Sequence, residues 1–340
     1  MATRLAMDNA GGGTWVTALR AARTAAGFSV TYIAPDAVAF GLTYQVTQGV
    51  ASVLAQDTMV ESSNAVAVGS AALGNIVLVV SERTGQTAVK PYTGALSQMG
   101  AGAAHNGLHA IDRSLVGARD DSQVLLLTTA TTSEVSAVAV SATGNDVGTA
   151  VPIVPMGESA SAVSAIAGAS GYVASWLSGG SLRAEVVSAA LAVVTGPVTI
   201  ATSGTAFAPV VGWAAAQNRG LAIWQRQDGS LWAIRIDAML RPVGAELQLS
   251  PTGSAPRVAS DGNSFWVVWH DTSAATKVAG AHVTAGGTVT PFALAGSGGT
   301  EVDHDVVALR DGTVQIIWFE RAGTMTDPLL VIPGCRVAGG

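Results

Sequence analysis

The 340-residue chain has 12% charged residues, 49% hydrophobic residues and a formal net charge of −6. The charged fraction is about half that of an average soluble domain, so much of the surface must consist of Ser, Thr, Ala and Gly. Because nucleic-acid binding needs clustered Lys and Arg, the acidic balance argues against a nucleic-acid partner. Cys335 is the only cysteine, which excludes an intrachain disulfide and a cysteine-based metal cluster.

The first residues place an acid at Asp8, and no apolar core of signal-peptide length surrounds it. The longest uncharged stretch, between Glu158 and Arg183, is rich in Ser and Gly, which favours an ordinary pair of strands over a membrane span. The sequence therefore predicts no secretion signal and no membrane span. It predicts a location in a virion, or in the cytoplasm before assembly.

Seven short apolar runs recur through the chain. They end at Tyr32, Val80, Leu127, Trp176, Trp224, Trp269 and Trp318, at spacings of 45 to 49 residues. A small-residue run and a Gly, Asp or Asn turn precede most of them, and two further alternating runs follow. Four short strands per repeat, rich in Val, Ile and Trp, are typical of a β-propeller blade.

The first repeat contains the one segment with a competing interpretation. Residues 15–26 have the apolar spacing of a short helix, but the register of the other repeats favours a strand. The last repeat ends before a fourth strand is complete, so a strand at 3–10 is expected to pair with the last blade and close the ring. The predicted blades cover approximately residues 14–58, 59–104, 105–156, 157–203, 204–251, 252–297 and 298–340 plus 3–10.

The predicted fold is thus all-β: one seven-bladed β-propeller domain over 1–340, with about 48 residues per four-stranded blade. The residues that close the apolar runs are expected to fill the space between adjacent blades. Trp176, Trp224, Trp269 and Trp318 are therefore interpreted as core residues.

Residues 255–271 carry a family resemblance. With Asp261-Gly262 in a turn and Val268-Trp269 in the following strand, the segment resembles the repeat of Asp-Gly/Val-Trp β-propeller proteins, found in many bacterial exported and virion-associated chains. The resemblance implies the propeller fold and carries no catalytic residues. Since Asp261 and Gly262 are adjacent, the segment differs from the sialidase Asp-box, and sialidase chemistry does not transfer.

Two clusters of titratable residues raise the possibility of metal binding. In a strand over 301–305, Asp303 and Asp305 would share one face and His304 the other, and a polar strand lining the channel is preferred. Residues 105–113 contain His105, His109 and Asp112, which could form half a zinc site, although an exposed loop between blades is preferred. No metal site and no cofactor are predicted.

The loops between second and third strands, together with the connections between blades, emerge on one concave face, which is the expected ligand or partner face. The residues expected on it are His109, Asp112, Arg226, Asp228, His270, Asp271, Asp303, His304, Glu320 and Arg321.

Three functional hypotheses follow. The preferred one is a non-enzymatic interaction or structural module, a tail, fibre or receptor-facing component of a bacteriophage particle or similar assembly, with a protein assembly partner or a cell-surface glycan as its ligand. The first alternative is a lectin-like propeller that uses Trp232 or Trp266. The second is a glycan hydrolase or lyase with two carboxylates drawn from Asp271, Asp303, Asp305 and Glu320.

Overall fold

The computed structural model describes residues 3–4, 17–33, 39–47, 50–58, 67–83, 86–106, 109–117, 122–129, 134–201, 205–271, 273, 278–294, 300–322 and 325–332. Its regular structure is entirely β-strand within these ranges. Blades 1 to 3 comprise β2 (Thr17–Arg23), β3 (Gly27–Ile33), β4 (Ala39–Thr47), β5 (Val50–Thr58); β6 (Ala67–Leu73), β7 (Ile76–Arg83), β8 (Gln86–Thr93), β9 (Ala103–Asn106); and β10 (His109–Gly117), β11 (Val124–Thr129), β12 (Val135–Val140), β13 (Asp146–Pro152).

Blades 4 to 6 continue in the same pattern. They comprise β14 (Ser161–Ala167), β15 (Gly171–Ser178), β16 (Ser181–Ser188), β17 (Val193–Ala201); β18 (Thr205–Ala214), β19 (Arg219–Arg226), β20 (Leu231–Ile236), β21 (Pro242–Ser250); and β22 (Ser254–Ser260), β23 (Ser264–His270), β24 (Val278–Thr284), β25 (Val289–Ala293). The closing sheet combines β1 (Thr3–Arg4) with β26 (Thr300–Ala308), β27 (Val314–Ala322) and β28 (Met325–Ile332).

Every sheet of the described chain is antiparallel and four-stranded; six are meanders of consecutive strands, and the closing sheet has the order β1-β28-β27-β26. The first strands of successive sheets contact one another in the order β2, β6, β10, β14, β18, β22 and β26, and β26 contacts β2 again. The first strands therefore surround a central channel. The all-β propeller with four-stranded sheets agrees with the sequence prediction.

The predicted set of seven blades requires a correction. Among the described residues, only six sheets are blades of four consecutive strands, and the remaining sheet joins β1 to β26–β28. Within the described residues its outer strand comprises Thr3 and Arg4, which pair with Val331 and Leu330; residues 5–10 of the strand predicted at 3–10 lie outside the described part of the chain. The regular spacing of the apolar runs could not reveal this, because those runs mark second strands and carry no information on outer ones.

The interface between adjacent blades forms the core. Trp176, Trp224, Trp269 and Trp318 each pack in a cluster shared with the preceding sheet, which confirms their predicted role. Tyr32 does the same against Phe319, with ring centroids 5.2 Å apart. Each of these side chains fills the gap between two twisted sheets and contributes about 1.5–3 kcal/mol by burial.

Val80 and Leu127, predicted at the same place in the repeat, face the other way. Val80 packs with blade 3 and Leu127 with blade 4, so both contact the following blade. Successive residues of a strand point to opposite faces, and the residues that contact the preceding blade are Val79 and Leu126. The predicted equivalence was wrong by one residue in these two blades.

Two local predictions also have clear outcomes. Thr17–Arg23 forms β2, so the strand interpretation of this segment is confirmed over the helix. The predicted loop at 105–113 is wrong, because His105 lies in β9 and His109 and Asp112 lie in β10. Residues 94–102 connect β8 to β9; in this segment Leu96 is buried and Gln98 forms a bridge with Tyr92 of β8.

Candidate functional site

The central channel widens into a cavity at one end of the ring. This end carries the turns between first and second strands, such as 24–26, 215–218 and 261–263, and is called the turn face below. The opposite end, with the turns between second and third strands, is called the connection face. The cavity, called the channel mouth, has a volume of 360 Å³ and is lined by all of the first strands that surround the channel. This volume suits a small ligand.

Small residues form most of the wall of the channel mouth, and a few polar side chains interrupt them. Arg20, Arg23 and Arg310 come from adjoining blade 1 and the closing sheet, while Ser70 and Ser260 add hydroxyls. Burial lowers the pKa of Arg23, because transfer out of water disfavours the charged guanidinium. One side of the mouth is therefore rich in cationic donors.

Both carboxylates that line the channel mouth, those of Asp305 and Asp261, accept hydrogen bonds from nearby protein groups. Asp305 Oδ2 accepts from Ala21 N at 2.9 Å and Oδ1 accepts from Val306 N at 2.9 Å. Asp261 Oδ1 accepts from the backbone N–H groups of Asn263 and Ser264, and its Oδ2 accepts from the Ser264 hydroxyl. Burial alone would raise the pKa of Asp261, but these donors outweigh it and lower the pKa.

An aromatic side chain borders the mouth. Trp213, at the end of β18, is 7% exposed, and its Nε1–H has no acceptor among the described residues. The ring lies against β19 at Gly220, where an added Cβ would come within 2.9 Å of Trp213 Cε3. Glycine therefore allows the close approach that seats the ring beside the cavity. Sequence reasoning missed Trp213, whose only signal is its place at the end of a first strand.

Asp303 and Asp305 join the two ends of the ring. Asp303 Oδ2 accepts from Leu19 N at 2.8 Å and from Arg20 Nη1 at 3.5 Å, and Oδ1 lies 4.0 Å from Arg257 Nη2. Together with the bond from Ala21 N to Asp305, these contacts give backbone N–H groups of β2 hydrogen-bond acceptors on β26. The predicted shared face of Asp303 and Asp305 is confirmed, and both side chains link blade 1 to the closing sheet.

His304 points away from these carboxylates, as the strand alternation predicts. Its backbone is in register with Trp318 of the neighbouring strand β27, and its side chain is buried. Although it was placed on the candidate ligand face, it is enclosed between sheets in the structure.

Arg226 and Asp228 form a local cluster at the connection face of blade 5. The Arg226 guanidinium carbon lies 3.9 Å from the centroid of the Trp232 ring, and Arg226 forms an ion pair with Glu246. Asp228 Oδ1 accepts from Ser230 N at 2.9 Å and from Ser230 Oγ at 2.5 Å, and these bonds lower the pKa of Asp228. Asp228 is therefore a turn-capping acid.

His270 and Asp271 lie at the corresponding turn of blade 6. Asp271 Oδ1 accepts from Ser273 N and Oγ at 2.9 and 2.7 Å, and from Thr252 Oγ1 at 2.9 Å. Burial opposes these bonds but is outweighed, so the pKa of Asp271 is lowered. The Asp228 and Asp271 clusters belong to separate blades, and each is built around its own turn.

The two tryptophans proposed as sugar platforms are engaged in packing. One face of the Trp232 ring is covered by Arg226, and its Nε1 donates to Ser230 Oγ at 2.7 Å. Trp266 is 6% exposed and packs between His282 and Phe292, with centroid distances of 4.8 and 5.7 Å. Neither ring presents an open face of the kind that a stacked sugar requires.

A buried acid lies between blades 3 and 4. Glu185 on β16 is 1% exposed, and its Oε1 has no hydrogen-bond partner within the described ranges. Burial, with a smaller contribution from the charge of Glu158, raises its pKa to about 7. Glu158 itself is held by Arg183 Nη1 at 2.8 Å and Trp176 Nε1 at 3.0 Å. Glu185 lies outside the channel mouth.

Four predicted site residues have described backbones only. His109 and Asp112 lie on β10, and Glu320 and Arg321 lie on β27, but their side chains, and Cys335 altogether, lie outside the described part of the structure. The assignment of the ten predicted residues to a ligand face stays a prediction. Among the described residues, no three His, Cys, Asp or Glu side chains are placed to hold a metal ion, and no helix combines the length and hydrophobicity needed to cross a bilayer.

Comparison with known proteins supports the architecture. No protein-family model matches the chain. No curated protein matches it either. Among solved structures, the chain is similar to the BP39L lectin from Burkholderia pseudomallei, with a TM-score of 0.62 and 15% identity over 91% of this chain and 98% of that one.

Two further propellers align over nearly their whole length. The RRP9 WD40 repeats give a TM-score of 0.59 at 12% identity, covering 98% of this chain and 100% of that chain. The Dos1 propeller gives 0.55 at 11% identity, covering 98% and 95%. These likenesses show the fold alone. The predicted resemblance therefore holds for the propeller fold, and no Asp-Gly/Val-Trp family is shown.

Proposed function

We propose that this propeller is a non-enzymatic binding module that holds a sugar unit of a glycan in the channel mouth. The observation that carries the proposal is the composition of the 360 Å³ cavity, which combines a bordering tryptophan, serine hydroxyls and arginine side chains. Polar hydrogen-bonding groups in a cavity of this size can fix a sugar unit. Trp213 is 7% exposed and, like Trp266, offers no stacking face, so its contribution would be its Nε1–H. The orphan Nε1–H of Trp213 is a donor that a ligand hydroxyl could satisfy after a small shift of the ring.

The state of the carboxylates favours binding over hydrolysis. A general acid at neutral pH needs a raised pKa, whereas the pKa values of Asp228, Asp261 and Asp271 are lowered by the turns that they cap. Glu185 has a suitable pKa of about 7, but it is buried between blades and does not line the mouth. The lectin among the similar structures is consistent with this preference, although its identity is too low to transfer a ligand.

The proposal is tested by closing the mouth. Ala167 lines it at the end of β14, and Ala167→Trp would fill part of the cavity. Thr199→Trp, on the exposed side of outer strand β17, is the matched control. On an array of immobilised glycans, we expect the wild type and Thr199→Trp to bind the same sugars and Ala167→Trp to lose them. Retention of binding by a folded Ala167→Trp protein would overturn the proposal.

A second candidate, the structural component of a phage particle or similar assembly, is supported by the outer strands. Val147 on β13 and Val193 and Val194 on β17 are 50–63% exposed, and neighbouring positions of both strands are largely uncharged. Such surface suits burial against another subunit. A virion location, or a cytoplasmic one before assembly, belongs to this candidate. Light scattering after size-exclusion chromatography tests it: self-association supports it, and a monomer that binds no virion component counts against it.

A further inference from the structure

We infer that two copies of this chain associate about a two-fold axis through the outer surface of blades 3 and 4. This surface, called the blade 3–4 rim below, consists of β13, β17 and the turns 141–145 and 189–192 that precede them. The inference goes beyond the sugar site and rests on the second candidate function, for whose exposed outer strands it names the partner. Both channel mouths stay open in such a dimer, because the first strands line them and the outer strands do not.

The rim lies where the apolar core between blades 3 and 4 reaches the surface. Val147 on β13 is paired with Ala139. Val193 on β17 is paired with Val187. Ala139 and Val187 belong to the core cluster shared by blades 3 and 4, and directly paired residues point to the same face of a sheet. The two rim valines therefore continue this core outwards, yet they are 56% and 50% exposed.

Charged side chains are scarce in this part of the chain. Residues 122–218 contain only five: Glu134, Asp146, Glu158, Arg183 and Glu185. This is fewer than half of what their share of the chain length would give, since the chain has 17 basic and 23 acidic residues. Glu158 and Arg183 pair with each other at 2.8 Å, and Glu185 is buried. After Asp146 at the start of β13, neither β13 nor β17 contains a charged residue.

The edges of both outer strands are poorly suited to pairing with a further strand. Gly148 in β13 and Gly196 in β17 have positive φ values of 86° and 124°, and register shifts interrupt the pairing of both strands with their neighbours. Pro152 and Pro197 lack the N–H that a further strand would use. Bulges and prolines protect an edge strand from edge-to-edge pairing. A partner therefore has to be bound by the side chains of the rim.

A second copy of the chain is the partner that an uncharged rim fits. In a two-fold interface the same patch meets itself, so a charge near the axis faces a charge of the same sign. An interface with a different protein can instead place opposite charges against each other, and the rim offers none for this purpose. Because each copy carries a net charge of −6, two copies approach each other most readily where charges are absent.

The rim is also large enough for a stable dimer. β13 has seven residues and β17 has nine, and all of them except Ile200 and Ala201 are at least partly exposed. A stable interface uses about 20–30 residues of each partner. The two strands, together with the turns that precede them, supply a set of this size.

The test is sedimentation velocity at protein concentrations from about 0.1 to about 100 µM, a range that covers dimers of micromolar affinity. The rim variants are Val147→Lys and Val193→Lys, at exposed positions where a lysine leaves the fold intact. The matched control is Leu54→Lys. Leu54 is a similarly exposed apolar residue, 48% accessible, on the outer strand β5 of blade 1.

We expect the wild type to form a dimer of twice 34.0 kDa at the upper concentrations. Each rim variant should raise the dimer dissociation constant by about tenfold or more, because an unpaired lysine would lose water in the interface. Leu54→Lys should behave as the wild type. Raising the NaCl concentration from about 50 to about 500 mM should leave the dimer intact, because no ion pair holds it together. Ala167→Trp should stay dimeric, since it fills the channel mouth and not the rim.

The contrary results separate this inference from the proposed functions. A wild type that stays monomeric at the highest concentration would overturn the dimer, while the sugar site and binding to a virion component are measured independently of it. A dimer that persists in both rim variants, or that Leu54→Lys dissociates, would overturn its location on the rim. Dissociation at high salt would reveal an interface held by ion pairs and would also overturn the inference. Growth beyond the dimer with rising concentration would overturn the two-fold arrangement.

Discussion

Glu185→Gln is expected to stabilise the protein at pH 8 and to have little effect at pH 4. Glu185 lies on β16 between β15 and β17 and is 1% exposed, and the charged group that acts on its pKa is Glu158, which itself pairs with Arg183. Gly196 on β17 lies so close that an added Cβ would stand 2.5 Å from Glu185 Cβ. Water is therefore poorly placed to solvate the ionised form, which a neutral amide avoids.

The magnitude follows from the difference in pKa between the folded and unfolded states. The pKa rises from its ordinary value of 4.5 to about 7 on folding, and each unit corresponds to about 1.4 kcal/mol. Below pH 4.5 the carboxyl is protonated in both states and has no linked effect. As pH rises from 4.5 to 7 the unfolded state loses the proton first, so wild-type stability falls by up to about 3 kcal/mol and stays low above pH 7.

Urea unfolding followed by tryptophan fluorescence at pH 4 and pH 8 would measure this difference. Both values lie well away from the isoelectric point of about 5.3. Glu185→Gln should gain up to about 3 kcal/mol over the wild type between the two pH values, while Glu134→Gln, at an exposed position, should not. Parallel pH curves for the wild type and Glu185→Gln would refute the reasoning.

Three further variants test the structural account by the same unfolding assay. Asp305→Ala removes the acceptor of two backbone N–H groups at the ring closure and should cost about 1–3 kcal/mol; no loss would mean that the carboxylate does not join blade 1 to the closing sheet. Trp224→Ala should cost about 3–5 kcal/mol, because the ring is buried between blades 4 and 5, and a cost under about 1 kcal/mol would contradict that packing. Asp261→Ala loses three turn bonds and should cost about 1–2 kcal/mol, with Asp261→Asn intermediate; equal stability of Asp261→Ala and the wild type would remove the capping role.

The propeller architecture could be predicted from the sequence because each blade repeats the same local pattern of strands. The tryptophans at 176, 224, 269 and 318 recur at one place in the repeat, and each packs against the preceding sheet. The pattern is ambiguous in 76–80 and 124–127, where the strands are buried on both faces and nearly every residue is apolar. A continuous apolar run does not tell which residue faces which neighbour, and the predictions for Val80 and Leu127 were wrong for this reason.

The candidate site was harder to predict than the fold. Arg23, Trp213 and Arg310 are far apart in sequence and line one cavity only because the ends of the first strands surround one channel. Asp228 and Asp271, in contrast, stand out as polar residues beside a strand, yet each precedes a serine by two residues and caps a turn. This spacing is a recognised turn signal, and weighing it would have favoured a structural role for both acids.

Hydrogen–deuterium exchange with and without the tightest array sugar would test the location of the binding site most directly. Binding at the channel mouth should slow exchange at the turn face, in the segments 24–26, 215–218 and 261–263. Exchange in 227–230 and at Asp271 and Ser273, at the connection face, should stay unchanged. Protection confined to the connection face, with none at the turn face, would contradict a binding site in the channel mouth.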